Sequence, residues 1–230
     1  MKRFFFILLT GAIFSLHVNA QELKRTQPDF SDYIPLLNAA GYEVFTFDLS
    51  SLKDDTFNIE FVIREYADGV LVSGSPENDF RYFTRNRRML SDFPEEVRKE
   101  IISEGQVYDL DKGILSLGEK LSIGFTPSAD SLKSVSIMLE NMAELRRLLP
   151  LKPLTVSPFE GQYSYGSRPF EVGDIELGEF TPLVMFGSYW YDDEAQVVRF
   201  CGEDEIAADL STKMLSKIPH YYVLGITVTK

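Results

Sequence analysis

Covalent catalysis needs a nucleophile with a base beside it, and the 230-residue chain offers one such pairing to weigh: Cys201, its single cysteine, and His220. A thiol of this kind is activated at a helix N-terminus or beside a cation. Cys201 instead closes a predicted strand, and Gly202 separates it from Glu203, Asp204 and Glu205, acids that raise a thiol's pKa. The expectation is a structural cysteine filling a small core gap and a strand-borne His220 with a satisfied ring. The other histidine, His17, lies in the first twenty residues, so the remainder cannot assemble a Cys/His zinc site within one copy. Acid clusters at Asp192-Asp193-Glu194 and Glu203-Asp204-Glu205 are oxygen-rich, but neither has the spacing of an EF-hand loop. They read as a solvated hairpin tip and the N-terminus of a helix. No Gly-x-Gly-x-x-Gly, P-loop, His-Glu-x-x-His or Gly-x-Ser-x-Gly occurs, and no catalytic residue, metal ligand or cofactor is assigned. With 35 acids, a glycosidase carboxylate pair is available anywhere and indicated nowhere.

Aromatic residues supply the binding candidates. Tyr189-Trp190-Tyr191 beside an acidic turn, and Tyr163 and Tyr165 in a glycine-containing loop, carry ring faces and polar edges that stack on sugars or anchor a protein partner.

The elements that position these residues are predicted to be mostly strands. Phe45, Phe47 and Leu49 alternate with polar or outward positions across 42–49. Phe57, Ile59, Phe61 and Ile63 do the same across 56–66, with 50–55 as the polar hairpin loop between them. Shorter strands are expected at 70–72, 79–84, 107–110, 114–117 and 120–125, with a turn at Ser73–Pro76. Brief helices are expected over 31–40, closed by Gly41, and over 94–103, capped by Ser91 or Asp92. Residues 128–149 fit two patterns: Val135, Ile137 and Leu139 alternate as in a strand, while Val135, Met138, Met142, Leu145 and Leu149 line one helical face. A strand over 133–140 is favoured because Ser134 and Ser136 suit a helix interior poorly. A hairpin of 182–191 and 196–201 leads into a predicted amphipathic helix, 203–217, where Ile206, Leu210, Met214 and Ile218 recur every four residues. A strand over 221–229 closes the chain. The predicted class is mainly β, an antiparallel two-sheet sandwich with that C-terminal amphipathic helix; a helical 128–149 would make it α+β.

The N-terminus reads as an export address. Lys2 and Arg3 precede an apolar run, Phe4 to Leu16, and Val18-Asn19-Ala20 places small residues at minus three and minus one of a cleavage point. The predicted organisation is a signal peptide, 1–20, a disordered leader, 21–30, and one β-rich domain, 31–230. Gln21 rather than cysteine follows the cleavage point, so no lipoprotein is expected, and no membrane span remains after cleavage. Without Lys2 and Arg3, 21 basic residues face 35 acids, a net charge of −14 that disfavours nucleic acid. One cysteine excludes an internal disulfide. The 44% apolar content with 18 Phe and 11 Tyr must then stabilise the fold through its core.

Over residues 40–230, Leu149-Pro150-Leu151, Gly166-Ser167-Arg168-Pro169, Phe200-Cys201-Gly202-Glu203 and Pro219-His220-Tyr221-Tyr222 give the chain a texture. It resembles the uncharacterised exported domain-of-unknown-function families of gut-type Gram-negative bacteria. The resemblance implies a periplasmic or secreted domain and transfers no catalytic residue. The expected function is an exported, non-catalytic binding or adhesion-type module whose partner is a glycan or an envelope protein. The alternative is a carboxylate-dependent envelope hydrolase acting on glycans.

Overall fold

In the computed structural model, residues 25, 27–72 and 79–230 are described; the predicted signal peptide, leader residues 21–24 and 26, and the 73–76 turn lie outside them. The chain runs through α1 (Phe30–Ala39), β1 (Glu43–Asp48), β2 (Asn58–Ala67), β3 (Val70–Leu71), β4 (Asp79–Arg85), β5 (Arg87–Met89) and α2 (Glu95–Ser103). It continues through β6 (Ile114–Leu117), β7 (Lys120–Pro127), β8 (Leu132–Leu139), β9 (Ala143–Pro150), β10 (Tyr165–Pro169), β11 (Phe180–Ser188), β12 (Trp190–Asp192), β13 (Val197–Arg199) and β14 (His220–Thr229).

Period-two patterning decides the architecture. One sheet has the order β1-β7-β8-β9. The other has the order β10-β11-β14-β2, with β3 and β4 both paired to the free edge of β2. Every ladder in the two sheets is antiparallel. The apolar positions face one another across the gap. Ile59, Phe61, Leu224, Ile226 and Val228 of the second sheet meet Leu121, Ile123, Phe125, Val135, Ile137 and Leu139 of the first, all nearly inaccessible to solvent. Phe125 stacks on Phe186 from the opposite sheet at 4.9 Å. Each such side chain contributes about 1.5–3 kcal/mol by leaving water. The second sheet's outer face is covered too, since Tyr66, Met185, Tyr221 and Val223 pack with Phe170, Trp190, Ile206, Met214, Leu215 and Ile218. On one side the sandwich is closed, because Ser167 of β10 donates to the Glu43 carboxylate of β1.

The mainly β sandwich agrees with the sequence reading, and 128–149 is two strands, β8 and β9, joined by a turn with Asn141 at positive φ. Other expectations need correction. Residues 50–55 do not form a hairpin loop, because β1 and β2 belong to different sheets. The segment is a crossover containing a 3-10 turn, Ser50–Leu52, with Leu52 buried. Asn86, wholly buried, holds it: Nδ2 donates to the carbonyls of Leu52 (2.7 Å) and Asp55 (3.1 Å), and Oδ1 accepts from the Phe57 N–H (2.8 Å).

The predicted amphipathic helix over 203–217 is absent; only Leu215–Lys217 forms a 3-10 turn. Ile206 bridges in parallel to Phe170, and Asp209 accepts from the Ser211 N–H at 2.9 Å. Thr212 Oγ1 accepts from the Ala207 N–H at 3.0 Å, and Leu210 has φ of 62°. These short polar side chains satisfy the backbone locally, which competes with helix formation, while the every-fourth apolar residues still reach the core cover.

Further along, β11 pairs with β10 and β14 rather than with 196–201; the hairpin there is confined to β12 and β13. Residues 107–110 form only an isolated bridge at Asp109. Pro94, not Ser91 or Asp92, is the N-cap of α2, since the Asp92 carboxylate accepts from the Met89 N–H instead. Cys201 is exposed and fills no core gap.

Candidate binding cleft

The inward faces of β2 and β14 are apolar except where the C-terminal end of β2 meets the N-terminal end of β14. Ile59, Phe61 and Ile63 give way to Glu65; Val228, Ile226 and Leu224 give way to Tyr222 and His220, with Tyr222 registered opposite Glu65. A charge and an imidazole thereby enter the gap between the sheets, where each must find a partner. His220, 2% exposed, has its Nε2 2.9 Å from Glu65 Oε1 and its Nδ1 2.6 Å from the Tyr165 hydroxyl. The carboxylate fixes the tautomer: Nε2–H donates to Glu65, and bare Nδ1 accepts the Tyr165 O–H. The Tyr165 oxygen in turn accepts from the Lys152 N–H at 2.9 Å, and the Lys152 ammonium stands 3.7 Å from Glu65. Burial pushes the His220 pKa below its ordinary 6.5, opposed by the hydrogen bond to Glu65 and assisted by the Lys152 charge. Burial likewise raises the Tyr165 and Tyr222 hydroxyls far above their usual range, and Tyr222 donates to the Pro150 carbonyl at 2.7 Å.

Glu65 and Tyr222, at one end of this polar chain, line a cavity of about 600 Å³ at the sandwich's open side, between β9 and β4. Ile63, Glu65, Phe80, Arg147, Leu148 and Tyr222 are among its lining residues. Arg147 is the anomaly. It occupies the inward parity of β9, between Leu145 and Leu149, both buried, and is itself half-buried. Its guanidinium lies 4.6 Å from the centre of the Phe80 ring. Among the described residues it makes no hydrogen bond or ion pair, whereas neighbouring Arg146 is bound to Glu144 at 2.7 Å. A guanidinium has five N–H donors, so a cation facing a cavity with none of them matched by protein is equipped to take an anionic group.

The sequence-predicted residues fall elsewhere. Trp190 is buried beneath the cover of the second sheet, and Tyr189 stacks on Phe200 at 4.9 Å. Tyr191 is half-buried and tilts against Phe159, Tyr163 is exposed, and Tyr165 belongs to the buried polar chain. None of the five lines the cleft. Both ring nitrogens of His220 are engaged, so no Cys201–His220 dyad exists. Asp192 accepts from the Ala195 N–H and pairs with Arg199 at 3.0 Å, roles that belong to a turn and its ladder. Among the described residues, no three His, Cys, Asp or Glu side chains converge as a metal site. Glu65, Phe80 and Arg147 carry no motif. The one sequence signal, for Glu65 and Arg147, is a charge at an inward position of an alternating strand, as in Ile59-x-Phe61-x-Ile63-x-Glu65 and Leu145-x-Arg147-x-Leu149.

Sheets, core and cleft define an antiparallel β-sandwich domain with a charged inter-sheet opening along one edge. The family model for a domain of unknown function, DUF5041, matches residues 12–230, and the chain belongs to that family. No curated protein matches it. Among the described residues, no helix is long and apolar enough to cross a membrane.

Proposed function

We propose that this chain is an exported, non-catalytic binding module, freed of residues 1–20 in the periplasm or beyond, that receives its ligand in the cleft between β9 and β4. The observation that carries the reading is Arg147, a half-buried cation stacked on Phe80 whose donors meet no acceptor among the described residues. Stacking on Phe80 holds the guanidinium at the cavity wall and leaves its N–H donors open to an incoming anion. The polar groups beside the cleft are already satisfied: His220, behind Glu65, is neutral and doubly bonded, and the Tyr222 hydroxyl donates to the Pro150 carbonyl. That favours binding over catalysis. A carboxylate-pair hydrolase asks for two acids in one cleft, and Glu65 is the acid in this lining.

The test is to probe glycan and peptide arrays with the full protein and with Arg147→Gln. Ligands captured by the natural protein and lost by the variant support the reading; an absence of ligand on both arrays rejects it. Intact-mass analysis of protein from its producing cell tests export, and a mass that retains Met1 to Ala20 refutes that part.

A further inference from the structure

We infer that the cleft's ligand is an extended acidic segment of another protein, which joins the first sheet as an added strand along β9 and places a carboxylate on Arg147. The inference rests on the binding-module reading and specifies its ligand. Three observations carry it. First, β9 is the terminal strand of its sheet, paired with β8 alone. The cleft is lined by the consecutive residues 146–150, so it is the free backbone edge of β9 that faces the cavity. An eight-residue strand offers roughly 26 Å of such edge. Pro150 has no N–H, and its carbonyl is held by Tyr222, so the pairing segment ends at Leu149.

Second, the charge pattern selects the ligand. Arg147 is an unmatched cation inside a chain of net charge −12, and strand pairing brings every second partner side chain to the inward face where Arg147 and Phe80 stand. A Glu or Asp at that position meets the guanidinium, while neighbouring apolar side chains of the same parity meet Ile63 and Phe80.

Third, sugar recognition relies on open aromatic faces, and this cleft presents few. One face of Phe80 is covered by Arg147, and the Tyr222 hydroxyl is already bonded. Backbone pairing with one charged anchor fits the wall better; it is recognition by strand addition, in which main-chain bonds give affinity and side-chain pockets give specificity.

The experiment selects a displayed library of random nine-residue segments against the full protein, then measures synthetic versions of the enriched peptide. Enrichment of one Asp or Glu flanked by β-branched residues is expected. Changing that Glu to Gln in the peptide is expected to weaken binding at least about tenfold, and to cost nothing further against Arg147→Gln. N-methylation of the alternate amides facing β9 is expected to abolish binding. The peptide-side changes leave the protein untouched, so they hold whether or not the variant folds. Enriched peptides without an acid, or binding indifferent to N-methylation, overturn the inference. Capture of glycans with no peptide overturns it too while leaving the binding module standing, and capture of neither overturns both.

Discussion

Replacing His220 with glutamine removes the centre of the buried polar chain, and the structure sets the size of the effect. His220 bridges Glu65 at 2.9 Å and Tyr165 at 2.6 Å, and it is 2% exposed. A stranded polar partner costs about 1–3 kcal/mol. Tyr165 keeps the Lys152 N–H, and Glu65 keeps the Lys152 ammonium and the cleft's solvent, so the loss near pH 7.5 should be about 2–3 kcal/mol. The pH dependence is the sharper readout. Burial lowers the folded-state pKa of His220 below its ordinary 6.5, so the unfolded chain takes up the proton first as the pH falls. Stability from this group is therefore complete above pH 6.5 and declines as the pH drops from there toward the lower folded value. The limiting slope is about 1.4 kcal/mol per pH unit for one proton. His17 is the other histidine in the chain, and the carboxylates that the fold depresses, such as Asp48 and Asp55, titrate further down. Urea unfolding between about pH 7.5 and about pH 5.5 thus isolates His220. Native protein is expected to lose stability across that window, while the glutamine variant starts lower and stays level. Equal slopes in the two proteins would refute the burial argument.

Asn86→Ala should cost about 3 kcal/mol in urea unfolding, because it strands the Phe57 N–H and the Leu52 and Asp55 carbonyls at the sheet crossover; a loss under about 1 kcal/mol would contradict that role. Gly225→Ala places a Cβ 2.2 Å from the Thr181 carbonyl oxygen and 2.8 Å from the Phe180 ring. A fall of about 3 kcal/mol or more, or failure to fold, is expected, and an unchanged melting midpoint would count against the ladder geometry. Cys201, exposed at the end of the β12–β13 hairpin region, should react fully with a thiol reagent in the native state; a need for denaturant would place it inside.

Strand content was legible because each buried face left a period-two trace, as in Phe45, Phe47 and Leu49 or Ile59, Phe61 and Ile63, and α1 was legible through its Gly41 stop, whereas its cap, Asp29, falls in the segment read as leader. The 203–217 segment misled because burial every fourth residue is what a helix needs, yet an irregular chain laid over a sheet can supply it as well. Pairing partners were also hidden. β1 and β2 alternate identically and are separated by a loop of hairpin length, and nothing local says that they enter different sheets. The aromatic cluster at 189–191 looked accessible, but whether an indole faces solvent depends on what packs over it, and here Ile206, Met214 and Ile218 do so.

The order of residues by itself determined the β class, the acidic balance and the lack of an internal disulfide within these 230 residues, since each follows from composition or from the two-residue repeat of a pleated strand. Tertiary structure alone decided which strands are neighbours, which edge stays open, and that Glu65, Tyr222, Phe80 and Arg147 line one opening with His220 and Tyr165 bonded behind Glu65. Those residues come from five separate strands, and only long-range backbone pairing brings such distant positions within reach of one another.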